Sequence, residues 1–288
     1  METVRVAAVQ MDVKLGDREG NLGAILDRID RAAEAGARLV VFPECALSGY
    51  VFESRAEAMT AAEAIDGPSL GAMAARCAER GVFAVVGMLE RDGDRLFNAC
   101  ALVGPEGVVA SYRKIHLPHL GVDRFVDPGD RPFGVVEAAG LRLGMHICYD
   151  GSFPESGRVM TLLGADVLVL PTNWPTRAEP TAEHFPIVRA MENAVFVMAV
   201  NRVGSERGFP FIGRSAIVDP NGQVLARGDG QCEQILMAEI DQAQARTKRI
   251  VRVPGLHEID RIADRRPEYY GAIAARADQK HEVISSRD

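Results

Sequence analysis

The stretch Leu141–Glu155 reads L-R-L-G-M-H-I-C-Y-D-G-S-F-P-E. Leu141, Leu143, Met145 and Ile147 recur at every second position, the period of a strand. That run stops at Cys148. An acid, a glycine and Pro-Glu follow, and then Val159, Met160, Leu162 and Leu163 recur at helical spacing. A strand that breaks into a helix directly after a cysteine sets a thiol at the mouth of a sheet. There, backbone N–H groups and the positive end of the helix are expected to favour the thiolate. The competing reading is a buried structural cysteine, the commoner fate of this residue. This stretch alone leaves both open.

Outward from it the same pattern recurs. Val4–Val9 and Leu39–Phe42 read as buried strands. Between them Asn21 stands where a helix cap is expected, ahead of Leu22, Ile25, Leu26, Ile29 and Ala33, with Gly36 past the helix end. Pro68-Ser69 opens a helix with Leu70, Met73, Ala74, Cys77 and Ala78 on one face, which makes Cys77 a core residue. Val82–Leu89 is strand-like, and Phe97–Val103 and Val108–Tyr112 flank the turn G-P-E-G, with Cys100 packed inside the first run. Phe133–Glu137 and Leu141–Ile147 flank A-A-G as a second hairpin. Asp166–Leu170 is a continuous apolar strand, and a helix surrounds Glu183–Glu192. Val195–Val200, the hairpin S-A-I-V-D-P-N-G-Q-V-L-A and Gln234–Ile240 complete the series. Strands that alternate with helices, with hairpins among them, predict an α/β protein of two helix-covered sheets. Residues 1–250 form one domain on this reading. Residues 251–288 form a charged, Pro-containing tail expected to dock on another surface, and the final K-H-E-V-I-S-S-R-D is expected to fray.

Composition narrows the function. At 288 residues, 47% hydrophobic and 25% charged, the chain is an ordinary globular protein with ample material for a core. A net charge of −7 argues against a nucleic-acid partner, which needs a basic face to neutralise phosphates. No apolar run approaches a membrane span. The opening M-E-T-V-R-V-A-A-V-Q lacks a signal-peptide layout. Five cysteines without paired spacing describe neither a disulfide framework nor a zinc site, so a reducing cytoplasm is the expected compartment.

Three polar residues close apolar strands, where loops display functional groups over a rigid sheet. They are Glu44 after L-V-V-F-P, Lys114 in S-Y-R-K-I-H-L-P, and Cys148. Each alone reads as well as a solvated or packed side chain. Together a carboxylate, an ammonium and a thiol suit attack on a carbonyl: the first takes the thiol proton, and the second stabilises thiolate and oxyanion. His116 and His146 neighbour two of them. His146, one residue removed from Cys148, is expected on the same side of the strand, yet no carboxylate–histidine spacing supports a Cys–His dyad. Cys45 reads as packing and Glu192 as helix-borne pairing.

F-P-E, Y-R-K-x-H-L-P and C-Y-D-x-x-F-P-E, in this order and at these separations, resemble the three signature blocks of the nitrilase superfamily of carbon–nitrogen hydrolases. The likeness continues through R-A-M-E-N, V-N-R-V-G, the D-P-N-G hairpin and R-R-P-E-Y-Y, so it covers nearly the whole chain from Val4 to Tyr270. It implies a four-layer α-β-β-α sandwich that dimerises sheet to sheet, with C-terminal segments reaching across the partner. It implies Glu44 as general base, Cys148 as nucleophile forming a thioester, and Lys114 with the Tyr149 backbone N–H as oxyanion holder. No metal or organic cofactor is implied. Relatives often carry a second glutamate after the lysine; here the nearest acid is Asp123. Tyr50, Asn173 and Trp174, at further strand ends, are candidate pocket residues, with core packing as the equal alternative.

Tyr149-Asp150 resembles the amidase-like branches, whereas nitrilases usually carry Trp-Glu there. Ser152 stands where many amidase-like relatives place an arginine that contacts a substrate carboxylate, and its presence removes that anchor. Arg124, Arg177, Arg202 and Arg207 are the candidate replacements. Hydrolysis of a small linear amide to acid and ammonia is the expected reaction. N-carbamoyl amide hydrolysis comes second, and a catalytically silent binding module is a remoter alternative, since burying three ionisable groups without use costs stability.

Overall fold

The computed structural model describes residues 3–275; the segment expected to fray lies outside them. Five strands come from the first half of the chain: β1 (Thr3–Gln10), β2 (Leu39–Val41), β3 (Phe83–Asp92), β4 (Arg95–Gly104) and β5 (Gly107–Arg113). The second half supplies β6 (Val135–Ala138), β7 (Leu141–Met145), β8 (Val167–Pro171) and β9 (Phe196–Val200). A loop hairpin, β10 (Ser205–Glu206) with β11 (Phe209–Pro210), precedes β12 (Ala216–Val218), β13 (Val224–Arg227) and β14 (Gln234–Asp241). These make two six-stranded sheets, ordered β14-β1-β2-β3-β4-β5 and β13-β12-β9-β8-β7-β6. β14 returns to pair antiparallel with β1, so the last strand of the two large sheets closes the first of them.

Alternation along the strands explains the layers. Val4, Val6 and Ala8 of β1 join Val41, Val85, Leu143, Val167, Val169 and Met198 in a core between the two sheets. Ala7 and Val9 point the other way, onto Ile25 and Ile29 of α1 (Arg18–Glu34). After a short α2 (Arg55–Ala61), Leu70, Met73 and Cys77 of α3 (Pro68–Arg80) complete that outer layer. On the far side Leu168, Val197 and Val218 pack with Met160 of α4 (Pro154–Leu162) and Ala190 of α5 (Glu179–Asn193). Helix, sheet, sheet, helix is therefore the stacking order, and strands covered on both faces read as near-continuous apolar runs.

Several local expectations need correction. Asn21 does not cap α1. Asp17 does, accepting from the Gly20 N–H. Asn21 sits buried one turn inside, where its amide bonds Lys14 and the Leu47 carbonyl. α5 begins at Glu179, earlier than the apolar spacing suggested, with Pro180 in its first turn. In α4 only Met160 of the four apolar positions is buried; Val159, Leu162 and Leu163 face outward.

The chain divides into two compact units at Thr247 and Lys248. The second contains a hairpin, β15 (Arg249–Val253) with β16 (His257–Asp260), followed by short 3₁₀ turns, and it exposes Val251, Val253, Leu256, Tyr269 and Ile273. Among the described residues no helix is long and apolar enough to cross a membrane, and no group of three metal-ligating side chains forms.

Candidate active site

β1, β2 and β3 run parallel, as do β7, β8 and β9, so several strand ends open at one edge of the sandwich. The loop after β2 carries Glu44. Its backbone lies directly over β3: the Gly87 N–H bonds the Pro43 carbonyl and the Gly87 carbonyl accepts from Leu47. A Cβ on Gly87 would come within 2.4 Å of the Pro43 oxygen and the Cys45 nitrogen, so only glycine lets the glutamate loop settle there. β5 ends at Arg113 and delivers Lys114, whose N–H bonds the Asn98 carbonyl of neighbouring β4.

These elements bring the polar groups into one buried cluster. Lys114 Nζ donates to Glu44 Oε1 at 2.7 Å and to Asp123 Oδ2 at 2.6 Å, with all three side chains out of solvent. Asn98 Nδ2 donates to Glu44 Oε1 at 2.7 Å and to Asp123 Oδ1 at 2.8 Å. The Tyr50 hydroxyl donates to Asp123 Oδ2 at 2.7 Å. Gly121, with φ of 49°, lets the Asp123 turn lie flat on the Tyr50 ring, since a Cβ there would fall 2.2 Å from it. Asp123 thus lies beside the lysine. One oxygen stands apart: buried Glu44 Oε2 has no hydrogen-bond partner.

Burial sets the charge states. Desolvation raises the Glu44 pKa, opposed by Lys114. Burial alone would lower the Lys114 ammonium, but Asp123 and Glu44 outweigh it and hold its pKa well above the ordinary value. Cys148 corrects the expectation of a ready thiolate. Its pKa is pushed up to about 12, by burial first and then by Glu44, with Lys114 pulling the other way. The positive helix end is missing too, because Cys148 opens a five-residue 3₁₀ turn (Cys148–Ser152) and α4 starts only at Pro154. The Asn173 N–H approaches the sulfur, and the Thr172 hydroxyl points at it without full hydrogen-bond geometry. Cys148 has φ of 45°, a strained left-handed conformation for a residue with a side chain, and it retains 9% exposure.

The remaining candidates fall differently. Both polar atoms of the Asn173 side chain are buried without a partner. Trp174 is buried, and Asn201 clamps its backbone from both sides. Tyr149 is exposed and sets its ring edge-on to Phe153. His146 is not on the thiol's side of a strand: β7 ends at Met145, and the imidazole turns onto Ser156 of α4 at 3.1 Å. A carboxylate–histidine pair does exist, between His116 Nδ1 and Asp150 Oδ1 at 2.7 Å. No local spacing announces it, because the partners lie 34 positions apart. Glu192 pairs with Arg189, whose guanidinium also holds the Gly151 and Ser152 carbonyls. Asn98, the hub of the cluster, was missed by the sequence reading. Its signal was an amide alone inside the apolar run L-F-N-A-C-A-L-V.

Of the arginines weighed as replacements at Ser152, Arg202 is spent on Glu206 and Asp12, and Arg207 on Glu53 and Glu57. Arg124 bonds the Gly121 and Phe52 carbonyls and lines a cavity of about 230 Å³ with Val51, His119, Leu120, Gly121 and Phe209. Arg177 is exposed. Larger hollows of about 650 and 440 Å³ touch none of the cluster residues.

The carbon-nitrogen hydrolase family matches residues 5–250. A protein named nitrilase from Pyrococcus abyssi is 40% identical over 93% of this chain and 99% of its own. An (R)-stereoselective amidase from a Pseudomonas species is 33% identical over 98% of each. An amidase structure from a Nesterenkonia species superposes with a TM-score of 0.76 at 26% identity, covering 92% of this chain and 94% of that one. It shows covalent addition of the acetamide moiety of fluoroacetamide at its active-site cysteine. A family match over the two-sheet unit, relatives along nearly the full length and a shared fold lead to one conclusion: this chain belongs to the carbon-nitrogen hydrolase family and is an amidase-like enzyme of it.

Proposed function

We propose that the chain hydrolyses a small linear amide to a carboxylic acid and ammonia through a thioester on Cys148. The observation that carries this reading is the unpartnered Glu44 Oε2. Its sister oxygen is occupied by Lys114 and Asn98, so the free one is the acceptor left for a thiol proton. A thiol with a pKa near 12 is protonated at neutral pH and needs such a base.

The steps balance as follows. Glu44 takes the Sγ proton as the sulfur forms a C–S bond with the amide carbonyl. The resulting oxyanion is held by the Lys114 ammonium and the Tyr149 N–H. The C–N bond breaks as Glu44 returns the proton to the leaving nitrogen, and ammonia departs. Glu44 then takes a proton from water, whose oxygen attacks the thioester; the C–S bond breaks, and the proton goes back to sulfur. Asp123 keeps Lys114 charged, and the Asn173 amide, buried without a partner, is placed to receive the substrate's polar end. The near-complete burial of Cys148 favours short substrates. Ser152, with Arg202 and Arg207 engaged by carboxylates elsewhere, favours uncharged ones.

For the assembly we propose a homodimer joined through its outer helices and not sheet to sheet, because each sheet is covered on both faces. The outward apolar positions Val159 and Leu162 of α4, Leu163 just past it, and Val188 and Met191 of α5 support this. Residues 251–288 are the segment proposed to dock on the partner. The Tyr149-Asp150 pair favours an amidase over a nitrilase, and free cysteines without paired spacing favour a reducing cytoplasm.

The test is intact-mass detection of a Cys148 adduct after exposure to amides, N-carbamoyl amino acids and nitriles, with ammonia assayed in parallel. An acyl adduct from short amides is expected, absent from C148A. Faster turnover of carbamoyl compounds, with carbon dioxide released, would replace the first reading by the second. Unchanged ammonia release by C148A would end both.

A further inference from the structure

Asp150 is used by no step above, although it is fully buried among the residues that carry the chemistry. Its carboxylate accepts four hydrogen bonds, two on each oxygen. Oδ1 takes the His116 backbone N–H at 3.1 Å and the His116 Nδ1 at 2.7 Å. Oδ2 takes the Tyr112 hydroxyl at 2.8 Å and the Ile147 N–H at 3.0 Å. Tyr112 and His116 stand two positions before and two positions after Lys114, and Ile147 directly precedes Cys148. Lys114 follows the edge strand of one sheet, and Cys148 follows an inner strand of the other. One side chain therefore ties together the segments that carry the ammonium and the thiol.

We infer that Asp150 is a positioning residue that fixes the separation of Lys114 and Cys148 across the two sheets. The inference rests on the roles proposed above for those two residues. With all four acceptor positions filled, Asp150 has no lone pair left for a substrate proton or a cation, so it acts on the reaction only through the groups it holds. The clamp continues outward. The Tyr112 hydroxyl accepts from the Ile115 N–H at 3.3 Å, and the His116 ring stacks on Phe153 with centroids 3.8 Å apart. The Asp150 N–H donates back to the Ile147 carbonyl at 2.9 Å, closing the turn on which Cys148 keeps its left-handed backbone. Such a conformation persists only where its surroundings over-determine it.

The test uses the full-length protein and compares parent, D150N and Y112F. The pH profile of Cys148 alkylation by iodoacetamide reads the electrostatic contact between Lys114 and the thiol and needs no substrate. D150N replaces one of the two acceptor oxygens with a donor NH2 group, which faces two donors, and Lys114 is expected to draw back. A thiol midpoint one unit higher gives about tenfold slower alkylation at pH 8. In amide hydrolysis kcat is expected to fall about 10²-fold with KM little changed, the loss that follows a displacement of about 1 Å. Y112F removes one of the four bonds and should move both readouts in the same direction by a few-fold. An alkylation profile and kcat equal to the parent's in folded D150N, with only the melting temperature lowered, would overturn the inference. If D150N does not fold, Y112F decides, and parent-like values for it have the same meaning. If D150N slows Cys148 alkylation relative to the parent but the parent hydrolyses nothing, the proposed function fails while the Lys114–Cys148 coupling stands.

Discussion

Two of the buried ionic clusters in this fold differ in what they leave unfinished. Glu44, Lys114 and Asp123 form one, bridged by Asn98 and Tyr50. Arg202 and Glu206 form the other, with Asp12 beside them. In the second cluster both Glu206 oxygens are used: Oε1 by Arg202, and Oε2 by the Tyr50 and Val51 N–H groups at 2.9 and 2.7 Å. Arg202 also donates to the Val13 carbonyl and lies 4.3 Å over the Phe211 ring. The result is a closed knot that pins the Tyr50 loop. In the first cluster Glu44 Oε2 is open, and Asn173 holds two more unpartnered atoms near the thiol. A buried polar atom without a partner costs stability, so the open cluster is where a substitution should cost the fold least.

The largest test of this contrast is E44Q. The amide keeps an acceptor for Lys114 and Asn98 but cannot take a proton, so kcat/KM for amide hydrolysis should fall about 10⁴-fold, the upper end of general-base contributions. The urea midpoint should move little. Next comes E206A, which leaves a buried arginine and two N–H groups stranded. Urea unfolding should show a loss of about 3–5 kcal/mol. A larger effect on folding from E44Q than from E206A would break the comparison.

His146 is the sharper case, because its Nε2 is also unpartnered and yet it faces α4. Burial lowers its pKa to about 4 from 6.5. On acidification the unfolded chain takes this proton first, so the stability held above pH 6.5 is lost as pH falls toward 4. The expected loss is about 3 kcal/mol, and H146Q should remove that part of the slope in urea titrations between pH 7 and 4. A fall in kcat for H146Q at pH 7.5 matching that of E44Q would instead assign this orphan to the site. Smallest is Y50F, which removes one bond from Asp123. It should cost about 1 kcal/mol in urea unfolding.

Much of this was legible beforehand, for reasons that differ by residue. Glu44, Lys114 and Cys148 stand at strand ends because an apolar run must stop where its sheet does. Asn98 looked like a flaw in a core strand because a partner 54 positions away is invisible to local pattern. The thiolate expectation failed because proximity to a helix start was read without the desolvation that dominates a buried sulfur. Asn21 has the residue type of a cap, but Asp17 stands at the true first turn.

The sequence by itself determined the period of each element, the two-faced burial of the strands and the chemical types available at their ends. These follow from side-chain polarity and spacing along one chain. Only the tertiary structure decided which of those groups meet, that Asp123 reaches the lysine, that Glu44 keeps one oxygen free, and that Asp150 ties both sheets at the site. Those facts depend on burial and on distances between segments far apart in the chain, and the energy of an ionised group is set by what surrounds it in space.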